Sequence, residues 1–264
     1  MNLKVSVLIT SYNHAPTLRR AIESVLMQRT AFDVQVIAVD DCSSDDSVAI
    51  IRQYQDKVTC VAFPDHYGMM RAYAVGLGRC EGQYIAVCDC DDYWTDPLKL
   101  AKQVDYMDVH PDVGLCVTDV MIQCGSTLTC SPQGGKITFD TLLKGTACIY
   151  APSYMIRREA LERWVDFEKF VRIGFKVWDY PLVLELIRHC KFHRLPFYGG
   201  VFVVNPESVT HTRSRGRRLR YVLGNHRIRA WYIFKYGCKV TTIMYLMYRF
   251  TRDCYSIIFR RWTN

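Results

Sequence analysis

The chain has 264 residues, of which 50% are hydrophobic and 23% charged, with a formal net charge of +8. That length and balance suit one large domain, or one domain with an appended subdomain, and exclude global disorder. The charge is unevenly placed: residues 211–264 hold thirteen Lys or Arg against one acid, Asp253, while the preceding 210 residues carry a small acidic excess.

In chain order, residues 3–9 read as a buried strand ending in the polar run Thr10-Ser11-Tyr12-Asn13. Pro16 suits the first turn of a helix on which Leu18, Ala21, Ile22, Val25 and Leu26 share one face. A second strand, 34–39, ends in Asp40-Asp41-Cys42-Ser43-Ser44, and a helix with Val48, Ile51 and Tyr54 as its apolar stripe follows. Further strands are predicted over 58–63, 84–88 and 113–118. Between the last two, Asp96-Pro97 opens a helix carrying Leu100, Ala101, Val104 and Met107. Such alternation implies an α/β class protein with a mainly parallel sheet and right-handed crossovers.

Beyond residue 120 the pattern weakens, and Gly125, Pro132, Gly134 and Gly135 mark loops. A strand-like run over 147–156 precedes a helix carrying Leu161 and Trp164. The segment 178–187 then reads as a helix, with Asp179 placed in N-cap style ahead of Pro181. A hairpin pairing 192–195 with 201–204 is expected before the basic tail. No secretory signal is recognisable, and the apolar runs are shorter than the ~20 residues that span a bilayer. Twelve scattered cysteines with no Cys-x-x-Cys pair argue for reduced thiols in a cytoplasmic setting, against both zinc and a disulfide framework.

The most telling segment is 84–94. An apolar run ends in Asp89-Cys90-Asp91-Asp92, three carboxylates within four positions. Ionised carboxylates crowded at a strand end repel one another and resist desolvation, so packing gains nothing from them. A hard cation such as Mg²⁺ or Mn²⁺ would make the arrangement worthwhile, because such ions take oxygen ligands and are often shared with a substrate's phosphates. A solvated acidic turn is the plainer reading of the cluster alone. Ligands of open α/β sheets bind beyond the carboxyl ends of the strands. Three polar loops, after the first, second and fourth strands, would therefore converge on one rim.

These residues resemble glycosyltransferase family 2, inverting enzymes of the GT-A fold that use nucleotide sugars. The blocks 5–13 with 18–28, 36–45, and 68–94 are similar to that family's first three motifs. Lys99-Leu100 and Gln103 continue the match, 178–182 looks like its acceptor-side acidic block, and 198–208 like its closing segment. The family usually has glycine at Cys42, often Arg-Asn at Tyr73-Ala74 and often Tyr-Arg at Phe202-Val203. The change at 73–74 is expected to remove a polar contact near the donor.

The resemblance implies a GT-A catalytic domain over 1–210, split into a nucleotide-sugar-binding half, 1–118, and an acceptor-binding half, 119–210. A basic, aromatic helical extension, 211–264, follows. It implies a donor site of Thr10, Ser11, Tyr12, Asn13, Asp40, Asp41, Arg71 and Asp89, with Mn²⁺ or Mg²⁺ on Asp89, Asp91 and Asp92. Asp179 would be the general base, Trp178 and Tyr180 would meet the acceptor, and His211 and Arg213 could reach the diphosphate. Plainer roles stand beside these: helix capping for Asp40, Asp41 and Asp179, core packing for Trp178, a surface loop for His211. At a helix N-terminus Asp179 would be held ionised, so its activation is expected from position more than from a raised pKa.

The implied partners are a nucleotide-sugar donor, with UDP as the carrier expected of the family, and a saccharide or lipid-linked acceptor. Cations and aromatics interleaved over 213–264 fit a helix lying on anionic lipid, hence a peripheral place at the inner face of the plasma membrane. Two other readings are weaker. A nucleotidyltransferase also uses paired acids, but no glycine-rich, lysine-bearing loop follows the first strand. Nucleic-acid binding would use the basic tail and leave the acidic rim unexplained.

Overall fold

In the computed structural model, residues 3–131, 136–205 and 214–259 are described. They form two compact units, one of 1–134 with 149–203 and one of 135–148 with 204–264.

The first unit opens with β1 (Leu3–Ser11), α1 (Ala15–Leu26), β2 (Asp33–Asp40), α2 (Ser47–Arg52), β3 (Thr59–Ala62), α3 (Met69–Gly78) and β4 (Tyr84–Val87). It continues with β5 (Tyr93–Trp94), α4 (Lys99–Val109), β6 (Val113–Cys124) and β7 (Thr127–Ser131). After a 3-10 turn, Ala151–Ser153, come β8 (Met155–Arg157), α6 (Arg158–Trp164), α7 (Phe167–Ile173), α8 (Asp179–Leu186) and β9 (Lys191–Val203). The strands lie in the order β3-β2-β1-β4-β8-β6-β9-β5, with β7 on β6.

Burial explains the composition of the early strands. β1 sits between β2 and β4, so Val5, Val7, Leu8 and Ile9 are fully enclosed. Side chains of this size contribute about 1.5–3 kcal/mol each when buried. Leu18, Ala21, Ile22 and Val25 of α1 cover one side of this core, as their spacing predicts. Gly82 lets β4 come close beside β1: a Cβ there would stand 2.5 Å from the Ser6 amide nitrogen.

The sheet is mixed, more so than the alternation implied. β3, β2, β1 and β4 are parallel, but β8 enters antiparallel to both β4 and β6. The expected hairpin over 192–204 does not form. Its two halves are one strand, β9, running parallel to β6 with register shifts near Thr118–Val120. A long neighbouring strand supplied partners along its whole length, which local turn signals do not reveal. The strand-like run over 147–156 shrinks likewise to β8 after the 3-10 turn through Pro152. β6 runs past its expected end to hairpin with β7 around Gly125.

The second unit contains α5 (Phe139–Lys144), α9 (Arg215–Tyr236) and α10 (Val240–Phe259). Thr138 caps α5 in a reciprocal capping box with Thr141, and Gly145 ends it in a left-handed conformation. Thr242 donates to Asp140, and Arg249 to the Lys144 carbonyl, tying α10 to α5. No described helix is long and apolar enough to cross a membrane.

Lys99 is fully buried, donating to Gln103 Oε1 at 2.8 Å with its Nζ 4.2 Å from the Trp94 ring centre. Desolvation lowers its pKa to about 7. An unfolded lysine holds its proton to about pH 10, so in between unfolding takes up a proton and stability rises with pH, by up to about 1.4 kcal/mol per pH unit. Denaturation of Lys99→Met from pH 7 to 10 should lack this increment relative to wild type. Parallel stability profiles would contradict a neutral buried lysine.

Candidate active site

Because β1, β2 and β4 are parallel, their carboxyl ends open on one rim, with Ser11 opposite Asp40 and Leu8 opposite Val87. The three polar loops open there, and those after β1 and β2 are cross-linked by side chains. Asn13 adopts φ 55° and its Oδ1 accepts the Ser44 amide at 2.8 Å, while its own amide donates to Ser43 Oγ at 2.8 Å. Asp45 accepts the Ala15 amide at 2.9 Å, at the start of α1. Asp40 is fully buried and accepts the Ser43 amide at 2.8 Å and the Ser43 hydroxyl at 2.6 Å. Asp41 accepts the amides of Tyr67 and Gly68, each at 2.8 Å, and faces His66 Nδ1 at 3.0 Å. Both carboxylates expected at the donor thus also build loops: Asp40 its own turn, Asp41 the start of α3.

Tyr12 is exposed and stacks on His66, ring centres 4.2 Å apart. Thr10 is partly exposed at the end of β1, opposite Val39. Ser11 is buried, and its Oγ has no hydrogen-bond partner. Arg71, expected at the donor, pairs here with Glu168 of α7 at 2.5 Å. Both side chains are on the surface, where such a pair is worth under about 1 kcal/mol.

Past β4, Asp89 and Asp91 are partly exposed and Asp92 is buried. Burial, then Asp91, then Asp179, pushes the Asp89 carboxyl well above the usual range. Asp92 is also pushed well up, by burial and by Asp91 and Asp89. Its Oδ1 accepts the Val203 amide at 2.8 Å, joining this loop to the end of β9, and its Oδ2 is buried without a partner. Asp91 is raised by burial, against the pull of His14 and Arg20. Arg20 of α1 donates to the Asp91 carbonyl at 3.3 Å and lies 4.0 Å over the Tyr93 ring.

Asp179 is the first residue of α8 rather than its cap, and its Oδ1 accepts the Tyr180 amide at 2.8 Å. Its pKa is raised: desolvation outweighs the hydrogen bonds, contrary to the expectation from the helix end alone. Tyr180 is half-buried. Trp178, expected on the acceptor wall, is 3% exposed, stacked on Tyr73 at 3.8 Å and edge-on to Tyr154 at 6.1 Å. His211 and Arg213 lie outside the described residues.

Two residues at the site had no role in the sequence reading. Tyr73 donates its hydroxyl to Asp89 Oδ1, so the change expected to remove a polar contact supplies one. Arg20 is the nearby cation of the acidic loop, and an arginine on a helix's polar face carries no signal of that.

The donor set suits a hard divalent ion: carboxylates only, each raised by burial and two of them also by their neighbours, with the buried Asp92 Oδ2 lacking a partner. Among the described residues, no three His, Cys, Asp or Glu side chains are grouped to hold a metal. The fit is therefore to an ion held by one or two carboxylates with phosphate and water completing its shell, a common Mg²⁺ arrangement.

A model of the family "Glycosyl transferase family 2" matches residues 6–165. A UDP-Glc:α-D-GlcNAc-diphosphoundecaprenol β-1,3-glucosyltransferase of Escherichia coli is 34% identical over 107 residues, 40% of this chain and 42% of that protein. The chain spans about a third to just over half the length of the first curated relatives it matches. Among solved structures, Staphylococcus aureus TarS 1-349 in complex with UDP-GlcNAc superposes with a TM-score of 0.69 at 17% identity, covering 96% of this chain and 73% of that one. A mannosyltransferase of Pyrobaculum calidifontis in complex with GDP-Man and Mn²⁺ gives 0.64 at 15% identity, covering 97% and 70%. These structural likenesses establish a GT-A fold.

Cys42, where that family usually has glycine, holds φ 64° in the turn between Asp41 and Ser43. A side chain in this left-handed region costs about 1–2 kcal/mol, more for a β-branched one. Urea denaturation should show Cys42→Val less stable than wild type and Cys42→Gly at least as stable; the reverse order would contradict the assigned backbone.

Proposed function

The chain belongs to glycosyl transferase family 2, and on that premise we propose that it moves a sugar from a nucleotide-diphosphate donor to an acceptor hydroxyl with inversion. The observation that carries this reading is the convergence of Asp89, Asp91 and Asp179 within electrostatic reach at the rim of a GT-A sheet. A carboxylate cluster of this kind suits a site whose substrate arrives with phosphates and a cation.

Asp179 is the general base in this reading. Its carboxylate takes the acceptor hydroxyl proton as that oxygen bonds to the anomeric carbon. The bond from that carbon to the diphosphate oxygen breaks, and its electron pair leaves with the nucleotide diphosphate. One displacement inverts the configuration. A carboxylate whose proton affinity is raised by desolvation is a stronger base than an exposed one, and Asp179 is so raised. Asp91 with Asp89 would hold Mn²⁺ or Mg²⁺, which when bound supplies positive charge for the departing diphosphate. Asp92 braces this loop on β9 through Val203. Tyr12, backed by His66, offers a face for the base, and the unpartnered Ser11 hydroxyl a hydrogen bond. UDP is the favoured carrier, as in the donor of the E. coli relative and the ligand of the S. aureus neighbour.

A lipid-linked acceptor, which the E. coli relative's name specifies for that protein, fits the second unit. Val240, Met244, Met247, Tyr248 and Tyr255 are exposed along α10, and Arg215, Arg217 and Arg220 are exposed on α9. An apolar helix stripe in a basic unit suits peripheral binding to anionic lipid at the inner face of the plasma membrane.

Asp91→Asn and Asp179→Asn should each lower turnover of UDP- or GDP-sugars at least ~100-fold. Thermal unfolding should stay level or rise, because each removes a charge from a crowded cluster. Full turnover in either variant would contradict its role. EDTA should abolish turnover, and Mn²⁺ or Mg²⁺ should restore it. In flotation, wild type should rise with phosphatidylglycerol vesicles and Met244→Glu/Met247→Glu should not; equal flotation would contradict docking through α10.

A further inference from the structure

We propose that Tyr73 is a positioning residue joining the donor-side carboxylate Asp89 to the acceptor-side helix that carries Asp179. The inference rests on the transfer reading above and adds a link between its two half-sites.

Tyr73 lies on α3 and is 2% exposed. Its two ends serve different partners. The hydroxyl donates to Asp89 Oδ1, beyond β4. The ring stacks on Trp178 with centres 3.8 Å apart and planes within 12°. Trp178 is the N-cap residue of α8, so the stack bears on the backbone immediately before Asp179. Tyr154 packs edge-on against the same indole, which leaves Trp178 little freedom to turn. The start of α3 is itself held, because Asp41 accepts the Tyr67 and Gly68 amides. A continuous path thus runs from the loop after β2, through α3, to both Asp89 and α8.

The physical need for such a tie is clear. Asp89 and Asp179 are like charges within electrostatic reach, so the ionised form of one disfavours that of the other. A hydroxyl on one oxygen of Asp89 gives that carboxylate a fixed direction, and the rigid ring carries the same registration to α8. Transfer needs the acceptor's base and the donor's anchor held in fixed relation, since small misplacements are costly in rate. Asp89 is the residue that meets the donor; Tyr73 acts through it and through Trp178.

The two ends of Tyr73 can be removed separately. Tyr73→Phe keeps the ring and loses the hydroxyl. In calorimetric titration with UDP and Mn²⁺ its Kd should rise about tenfold, as for loss of a hydrogen bond to a charged group. Its kcat at saturating donor should fall too, since the tie between Asp89 and α8 is cut, while its Tm should stay near wild type. Tyr73→Leu loses both ends and should lower kcat at saturating donor by about tenfold as well. Trp178→Leu keeps the hydroxyl and should lower kcat while leaving the Kd for UDP unchanged. Wild-type affinity in Tyr73→Phe would overturn the proposal. So would losses of affinity and kcat that move together in all three variants in proportion to Tm. Failure of the wild-type protein to bind any of UDP, GDP or their sugars would instead overturn the transfer reading itself.

Discussion

The structure turns on like charge gathered at one edge of a sheet. Asp89, Asp91 and Asp92 share the loop after β4, on the side where the chain also leaves β1 and β2, and Asp179 opens α8 within electrostatic reach of Asp89. Burial raises all four, and neighbouring carboxylates raise Asp89 and Asp92 further. The protein offsets only part of this. Arg20 and His14 face Asp91, the Val203 amide serves one oxygen of Asp92, and the Tyr73 hydroxyl serves one of Asp89. What is left is a demand for positive charge, which a cation with its phosphate-bearing ligand would meet. Structures optimised for stability alone do not keep such a cluster, because each buried unpaired carboxylate costs several kcal/mol, of order 2–5.

Around the cluster the remaining polar groups are spent on rigidity. Asn13 and Ser44, Asp45 and Ala15, and Asp41 with Tyr67 and Gly68 each join segments distant in sequence. Among the described residues, two that are not glycine accept left-handed backbone, Asn13 and Cys42, at the turns where these links are made. Strain of that kind is held only where the surroundings over-determine the conformation. The consequence for function is pre-organisation: the loops that would meet a nucleotide are fixed by contacts among themselves.

What the sequence made legible follows from range. β1, β2 and β4 are short apolar runs closed by polar loops, and α1 carries its stripe at helical spacing, so each could be read within a dozen residues. The acidic rim followed, because parallel strands deliver their loops to one side. β9 could not be read as one strand, since its continuity depends on β6 lying beside it. Nor could β8's reversal, which turns on a three-residue pairing with β4. In the site, Tyr73 read as a lost polar contact because its hydroxyl finds Asp89 only once α3 has packed. Arg71 read as a donor contact, yet its partner is Glu168, nearly a hundred residues on. Trp178 sits beside Asp179 in sequence, yet its ring is buried against Tyr73 of α3, a contact that only the folded chain makes.

The most direct test of the account is anomalous diffraction at the manganese edge from crystals of the protein grown with UDP and Mn²⁺. A single strong peak is expected beside Asp91, in contact with the diphosphate, and with the uracil ring against Tyr12. A diphosphate bound away from the ends of β1, β2 and β4, or held there with no metal peak, would contradict it.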